Sequence, residues 1–308
     1  MAHWFPGHMA RAKREIAENI KLVDAVFELI DARVAESSRN PDLESLLGGR
    51  PRVLLLTKND LADPRVTARW MEVWSGQGLS AVPVNAVTGD GLRAALHLAR
   101  SLTEERRRRR FQRNLLPTPL RVMVVGIPNV GKSSLINYLS RRSPARVADR
   151  PGVTRGKQWI KVDREAQFLD LPGLLPPRGL SAVEAYRLAA VGALPEGHFD
   201  LMNTAGRLLL HLRQFYPGVV ERRYGLTVAD DTGSGGTPTD GGSLQQEVRN
   251  EPEEMRPADW RLLTAIGAKR GFLLAGGAVD LEKAARVLLK DFRTGVLGRI
   301  SLEEPRDG

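Results

Sequence analysis

The sequence predicts an α/β fold with a mostly parallel sheet, followed by a small all-helical C-terminal domain. Short apolar runs alternate with helix-like stretches in the first part of the chain, a pattern typical of parallel sheets. These runs are residues 25–30, 52–56, 81–84 and 121–125. After about residue 180 apolar residues recur three and four apart, which indicates helices. We therefore expect domains over residues 1–178 and 179–308.

Two further strand candidates suggest an antiparallel edge to the sheet. Residues 158–162 and 166–169 are separated only by a short turn around Asp163 and Arg164, so they are expected to form a hairpin. In the second domain the helical period is clearest at residues 201–216, 260–269 and 281–292. Residues 230–243 have the Gly-rich, small and polar composition of a flexible loop.

Composition limits the classes of protein to consider. The chain has 308 residues, of which 42% are hydrophobic and 27% charged, so it can fill a core. It has no cysteine, which excludes disulfides, thiolate metal sites and cysteine nucleophiles and fits a reducing cytoplasm. No stretch approaches the roughly 18 apolar residues of a membrane span. We expect a cytoplasmic monomer without a membrane partner.

The chain is strongly basic. Its 46 Lys and Arg residues exceed its 36 Asp and Glu residues, giving a net charge of +10. Such a charge concentrates polyanions around a protein, and nucleic acid is the leading one, although a charge that serves solubility alone is the alternative. The arginine run at residues 106–110 is either a solvated helix face beside Glu104 and Glu105 or a patch that contacts phosphates.

The strongest local motif is a phosphate-binding loop. Residues 126–133 read GIPNVGKS directly after an apolar strand candidate. In this pattern backbone amides at a helix start surround the phosphates, Lys132 adds a positive charge that assists catalysis, and Ser133 can bind Mg²⁺. The candidate phosphate-binding residues are Asn129, Val130, Gly131, Lys132, Ser133 and Ser134.

Two later segments complete a candidate Mg²⁺ and γ-phosphate site. Residues 170–173 read DLPG after a strand candidate, so Asp170 is placed to hold Mg²⁺ through water and the Gly173 amide to meet a γ-phosphate. Residues 151–154 read PGVT, and Thr154 is the candidate second protein ligand to Mg²⁺, with a catalytic role in a loop ordered by the γ-phosphate.

The base is read by other motifs. Residues 57–60 (TKND) resemble the guanine-reading N/T-K-x-D signature, in which Asp60 accepts two hydrogen bonds from guanine and the Lys58 stem covers the ring. Alone this motif is explained equally well by an Asx-rich turn. The amides of Asn85 and Ala86, after the next strand, are placed to reach the guanine carbonyl. The candidate base-binding residues are Thr57, Lys58, Asn59, Asp60, Asn85 and Ala86.

These five pieces match the motif set of P-loop GTPases, but in a different order. The base-reading pair comes first and the phosphate motifs follow, so the chain is predicted to hold a circularly permuted P-loop GTPase domain. A permutation keeps the site because the contacts depend on the order of strands in space. In this order residues 170–173 lead directly into the helical domain, which can therefore receive the nucleotide state.

The permuted order and several segments resemble the bacterial ribosome biogenesis GTPase A family. The segments are residues 4–9 (WFPGHM), 31–33 (DAR), 37–41 (SSRNP), 126–134 (GIPNVGKSS), 149–154 (DRPGVT), 158–159 (QW), 269–271 (KRG) and 291–293 (DFR). The resemblance implies a GTP-hydrolysing factor that binds the large ribosomal subunit and its rRNA and acts late in its assembly. Thr57 departs from the asparagine of many members, and residues 230–243 form a longer loop.

The resemblance leaves the group that completes hydrolysis open. Leu174 follows Gly173 where many signalling GTPases have a water-orienting glutamine, so turnover without a stimulus should be slow. A residue elsewhere in the chain, a monovalent cation or the ribosome can supply the missing group. His8 is the candidate catalytic residue, against the alternative that it binds rRNA or caps local structure. Asn129 resembles the loop asparagine that coordinates K⁺ in related GTPases.

Two other classes of function compete with this one. A phosphate loop also serves ATPases and nucleotide kinases, but Asp60 with Asn85 and Ala86 argues against them. An RNA-binding module that holds nucleotide without hydrolysing it is the second alternative. The complete Mg²⁺ set of Ser133, Thr154 and Asp170 disfavours that alternative.

Overall fold

The structure is a computed structural model that describes residues 14–112, 118–142, 159–162, 166–170, 180–226 and 257–305. Within these residues the chain divides into two compact units. The sheet unit contains the described residues up to Asp170 together with Glu303–Pro305, and the helical unit contains the described residues of 180–302. Residues 230–243, expected to form a flexible loop, lie outside the described residues.

The sheet unit is built on six strands in the order β3-β2-β1-β4-β6-β5. The strands are β1 Ala25–Asp31, β2 Arg52–Thr57, β3 Ser80–Pro83, β4 Leu120–Gly126, β5 Trp159–Val162 and β6 Ala166–Asp170. All neighbouring pairs are parallel except β5 and β6, which run antiparallel. The predicted α/β fold with a mostly parallel sheet and one mixed edge is confirmed.

Helices lie between most of the strands and are the main elements of the helical unit in the part of the chain that the structure describes. In the sheet unit they are α1 Asp42–Leu46, α2 Pro64–Gly76, α3 Leu92–Phe111 and α4 Lys132–Arg141. In the helical unit they are α5 Ala182–Ala190, α6 Leu201–Phe215, α7 Val219–Tyr224, α8 Pro257–Lys269 and α9 Leu281–Arg293. Residues 14–19 are helical too.

Burial of both sheet faces explains the continuous apolar runs of the central strands. Every residue of β1 is buried, as a strand covered on two sides requires. On one face Ile30 and Leu56 pack with Trp70 and Trp74 of α2. The opposite face is covered by α3, which packs on β2 and β3, while α4 packs on β4 and β5.

Local chemistry sets where several helices begin. The Asp63 side chain accepts a hydrogen bond from the Arg65 N–H, and Pro64 occupies the first position of α2, where no N–H is needed. Ser181 and Glu184 form a reciprocal capping box at the start of α5.

The helical unit has its own core. Helix α9 packs on α6 and α8, and its buried Leu288 and Leu289 lie in the same unit as buried Leu208 and Leu212 of α6. No helix among the described residues is long and apolar enough to cross a membrane.

The end of the chain packs on the sheet unit. The Glu303 carboxylate accepts hydrogen bonds from the Ser37 N–H at 2.8 Å and the Ser37 hydroxyl at 2.9 Å. The Trp70 indole N–H donates to the Glu303 carbonyl at 3.0 Å. These buried polar contacts group the tail with the sheet unit, although residues 179–308 were expected to form the helical domain. The chain therefore passes between the two units twice.

Candidate nucleotide site

Parallel pairing brings the sequence motifs to one edge of the sheet. Strands β1, β2, β3, β4 and β6 all point their carboxyl ends in the same direction. Thr57 ends β2, Gly126 ends β4 and Asp170 ends β6, while Asn85 follows β3. Open α/β sheets bind ligands at the carboxyl edge, next to the point where the chain order of the strands reverses.

The phosphate loop has the backbone shape that its sequence predicts. It leaves β4 at Gly126 and enters α4 at Gly131, which caps the helix with a left-handed φ of 106°. A Cβ added to Gly126 would lie 2.9 Å from Val130 Cγ1 and 3.0 Å from the Leu29 carbonyl oxygen, so a side chain does not fit there. Asn129 also has a positive φ, 58°, which asparagine tolerates better than most residues.

Base-reading and phosphate-binding segments meet at Gly131. A Cβ built on this residue would lie 3.5 Å from Cβ of Ala86 and 3.8 Å from Cβ of Thr57. Ala86 itself is buried. Three segments that are separate in sequence, residues 57–60, 85–86 and 126–134, are therefore in contact around one glycine.

Thr57 ties the strands to the loop. Its buried hydroxyl lies 2.6 Å from the Val130 carbonyl oxygen of the phosphate loop and 2.9 Å from the Ile30 carbonyl oxygen of β1. A hydroxyl has a single proton, so it donates to one carbonyl at a time and the shorter contact is the better donor geometry. Thr57 thus connects the phosphate loop to β2.

A buried ion pair holds Lys58. Its ammonium lies 3.0 Å from Asp31 Oδ2, and Asp31 also accepts from the Arg33 guanidinium through Nε at 2.9 Å and Nη2 at 2.8 Å. Burial by itself raises the pKa of the Asp31 carboxyl, but Arg33 and Lys58 outweigh it and hold that pKa well below its ordinary value. Asp31 is therefore a fixed negative charge.

Sequence reasoning assigned no site role to Asp31 or Arg33. The signal available was a carboxylate at the end of an otherwise apolar strand, at the same edge as the other motifs. The positive partner two residues later was equally visible. The sequence did not show that Asp31 also contacts Lys58. That contact depends on the register of β1 and β2, which places Asp31 opposite Thr57.

The other base-reading residues lie on two adjacent loops. Asp60 is exposed in the turn after β2. The Asn85 side-chain oxygen accepts from the Val87 N–H at 2.9 Å and the Thr88 N–H at 3.1 Å, so this side chain shapes its own loop. The Asn85 backbone N–H donates to the Asp90 carbonyl at 3.0 Å, which leaves the Ala86 amide as the candidate donor to a guanine carbonyl.

Lys132 and Asp170 come together at the phosphate end. The Lys132 ammonium lies 2.7 Å from Asp170 Oδ1, which joins the first turn of α4 to the end of β6. Ser133 is exposed beside them. Among the described residues no group of three or more His, Cys, Asp or Glu side chains is arranged to hold a metal. One carboxylate and one hydroxyl suit Mg²⁺, which takes few protein oxygens and completes its shell with water and phosphate.

Three predicted site residues are not placed. Thr154, Gly173 and His8 lie outside the described residues, as does Leu174. All other candidates lie at the same sheet edge, on the loops that leave it or in the first turn of α4. The structure thus brings together residues from four of the five motifs.

Comparison with known proteins assigns the family. Residues 121–213 match a family profile described as a 50S ribosome-binding GTPase. A Ribosome biogenesis GTPase A from Bacillus licheniformis is 39% identical over 99% of this chain and 98% of its own length. A Mitochondrial ribosome-associated GTPase 1 from Mus musculus is 33% identical over 98% of this chain and 90% of its own.

A solved structure supports the fold. The GNP-bound YlqF from T. maritima has a TM-score of 0.62 at 24% identity, covering 96% of this chain and 99% of that chain. The sequence relatives cover nearly the whole chain at higher identity. The chain belongs to the Ribosome biogenesis GTPase A family.

Proposed function

We propose that this chain binds GTP and GDP at the described sheet edge and hydrolyses GTP as an assembly factor of the large (50S) ribosomal subunit, acting late in its maturation. The observation that carries the proposal is the contact of Thr57 Oγ1 with the Val130 carbonyl at 2.6 Å. It joins the base-reading strand to the phosphate loop, so one nucleotide spans both. Family membership supports the activity and the ribosomal partner.

The base is read by Asp60 and held by Lys58. Two carboxylate oxygens of Asp60 accept from the N1 and N2 donors of guanine, which adenine does not match. The Lys58 stem covers the ring plane because its ammonium is fixed on buried Asp31. The Ala86 amide serves the guanine carbonyl, because the Asn85 N–H donates to the Asp90 carbonyl. Asn59 completes the turn between Lys58 and Asp60.

The phosphates are held by backbone amides of residues 129–134 and by Lys132. Ser133 and Thr154 are the proposed direct ligands of Mg²⁺ and Asp170 its ligand through water. When bound, Mg²⁺ neutralises charge that develops on the transferring phosphoryl group. The Gly173 amide is proposed to contact the γ-phosphate. The 2.7 Å ion pair places Lys132 and Asp170 at the same point, which fits these neighbouring roles.

Hydrolysis needs a further group because Leu174 cannot orient water. We propose that His8, in a segment that leads into the basic residues 11–14, is brought near the attacking water when the protein docks on the subunit. Asn129, whose left-handed backbone lies within the phosphate loop, is the proposed K⁺ ligand. Lys132 and Thr154 act on the phosphoryl oxygens themselves.

The partner is the large subunit and its rRNA. A net charge of +10 favours binding to such a polyanion. The helical unit is also proposed to bind RNA. It follows the γ-phosphate motif directly in the chain, through residues 171–179. We propose that the protein works as a monomer in the cytoplasm.

Competition between nucleotides tests the enzymatic part of the proposal. Radiolabelled GTP bound to the purified protein should be displaced by unlabelled GTP or GDP but not by ATP, and phosphate release should require GTP. Displacement by ATP at equal concentration would show a nucleotide kinase or ATPase site. GTP binding without turnover, with or without large subunits, would show a binding module.

A further inference from the structure

Helix α3 is longer than the sheet that it covers. It has 20 residues and spans about 30 Å, whereas its packing partners β2 and β3 have six and four residues and span at most about 20 Å. Its buried positions are Leu92, Ala95, Ala99 and Thr103. From Glu104 onward no described side chain of the helix is buried. The last two turns therefore extend beyond the core.

These turns carry the arginine run and lie at the edge opposite to the nucleotide site. Helix α3 starts just after β3, at the carboxyl edge of the sheet, and returns to the amino edge, where Arg50 precedes β2. The Arg50 pKa is lowered by burial and by the nearby charge of Arg106, against a smaller opposing effect of Asp24. Arg50 is held by a 2.9 Å hydrogen bond from Nε to the Val23 carbonyl.

Acidic neighbours compensate only part of this charge. Arg109 pairs with Glu105, and Arg107 donates from Nη2 to the Thr118 carbonyl at 3.1 Å. The exposed side chains of Arg106 and Arg108 form no hydrogen bond or ion pair with any part of the chain that the structure describes. Arg106 and Arg108 lie on different sides of the projecting helix end, since residues two apart are separated by about 200° around a helix. We call Arg50, Arg106, Arg108 and Arg109 the amino-edge patch, which can contact phosphates on both sides of this helix end.

Stabilisation of the C-terminal end of the helix does not explain why several arginines lie in this patch. The negative end of a helix dipole is equivalent to about half a charge, which one arginine satisfies. Placing Arg106 beside a second fixed arginine adds like-charge repulsion that a helix terminus does not require. A polyanion relieves that repulsion, and guanidinium groups bind phosphate oxygens with two hydrogen bonds each.

We propose that the amino-edge patch is an RNA-binding surface of the sheet unit that contacts the phosphate backbone of rRNA. The proposal rests on the proposed ribosomal function and adds a contact site that is separate from the nucleotide site. Because phosphate contacts carry no sequence information, the patch contributes affinity and orientation rather than base specificity. Its position at the amino edge leaves the nucleotide edge free for GTP.

The test compares two variants with equal loss of charge. Arg106→Gln/Arg108→Gln removes two patch charges, and Arg65→Gln/Arg93→Gln removes two exposed charges at the starts of α2 and α3. Affinity for protein-free rRNA extracted from large subunits, and for intact subunits, is measured over a series of KCl concentrations. The patch variant should bind both probes about tenfold more weakly at moderate salt, with a log–log salt slope smaller by about two.

Further variants and measurements distinguish the loss of an RNA contact from a defect in folding. Arg106→Lys/Arg108→Lys keeps the charge and should recover most of the affinity, and all variants should retain basal GTP turnover. Equal affinity of the patch variant and the Arg65/Arg93 control would overturn the patch, while the proposed function stands if wild type binds subunits. If the patch variant binds subunits more weakly but binds protein-free rRNA as tightly as wild type, the patch contacts a ribosomal protein. That result would also overturn the proposal. Failure of wild type to bind subunits would overturn both proposals.

Discussion

Single residues hold together the segments at the carboxyl edge of the sheet, where the candidate nucleotide site lies. Thr57 connects β2 to the phosphate loop, and Asp31 fixes Lys58 through a carboxylate that is itself held by Arg33. Both Thr57 and Asp31 are buried, so their polar groups would be costly without these partners. Preformed contacts of this kind lower the entropy that binding has to overcome.

Base choice is expected to depend on Asp60. Asp60→Asn should weaken GTP binding and allow xanthosine triphosphate to bind, because an amide presents one acceptor and one donor where the carboxylate presents two acceptors. Loss of a charged hydrogen-bonding partner costs roughly 1.5 to 3 kcal/mol, or about ten- to a hundredfold or more in affinity. Fluorescence titration with both nucleotides measures this, and unchanged GTP affinity in the variant would refute the assignment.

The catalytic role of His8 is tested by separating binding from turnover. In His8→Ala, GTP affinity and subunit affinity should hold while subunit-stimulated turnover falls, because a positioned histidine contributes about 10² to 10⁴ in rate. The three quantities are measured independently on the same preparation. If subunit affinity alone falls, His8 is an RNA contact and the proposed mechanism is wrong.

At the scale of elements, the sequence predicted strands and helices wherever burial leaves a recognisable pattern of apolar residues. The apolar runs located β1, β2, β3 and β4, and the short turn between the last two strand candidates indicated the antiparallel β5 and β6. The motifs that follow parallel strands lie at one edge of the sheet because parallel strands have that geometry.

Contacts between distant residues were not predictable in the same way. The Glu303 carboxylate binds Ser37 across 266 positions, and the Asp31–Lys58 pair joins two strands. Such pairs leave no periodic pattern, since each depends on strand register or on where a tail happens to pack. Thr57 was identified as a departure from the family, but its link to Val130 required the fold.

The phosphate loop predicts an ion dependence. If Asn129 helps to hold K⁺ beside the transferring phosphoryl group, GTP turnover should be faster in KCl than in NaCl at equal ionic strength, because the cation adds positive charge where negative charge develops. Asn129→Ala should remove most of that difference. Equal rates of the wild-type protein in the two salts would rule out this role.

Helix α6 predicts a pH dependence in the helical unit. His211 Nε2 lies 2.9 Å from the Ser301 carbonyl, so it donates as a neutral ring, and burial lowers its pKa from 6.5 to about 4, with Arg187 adding to the effect. Between these values the unfolded chain binds a proton that the folded chain does not. The contribution of His211 to the free energy of unfolding is therefore fully present above pH 6.5. It decreases as the pH is lowered below 6.5, by at most about 1.4 kcal/mol per pH unit.

Denaturant titrations at pH 7 and pH 5 check this prediction. His211→Gln should show a smaller loss of stability between the two pH values than wild type, since glutamine does not titrate. The exposed His97→Gln, on α3, serves as the matched control and should behave like wild type. An identical pH response in all three proteins would show that His211 does not have the lowered pKa.

For the whole molecule, the permuted order has a structural consequence. The sheet unit continues into the helical unit after the γ-phosphate motif, and the chain returns to the sheet unit at Glu303, close in sequence to its end. Both connections attach to the sheet unit: one follows Asp170, and the other packs on Ser37 and Trp70. This connectivity supports the proposal that nucleotide state reaches the helical unit.

The central claim is that GTP hydrolysis is coupled to the large ribosomal subunit. Phosphate release from GTP is measured with the protein alone, with purified large subunits and with purified small subunits at equal concentration. Turnover should be slow alone, rise at least about tenfold with large subunits and change little with small subunits, because the subunit completes a site that Leu174 leaves incomplete. Equal turnover under all three conditions would contradict the account.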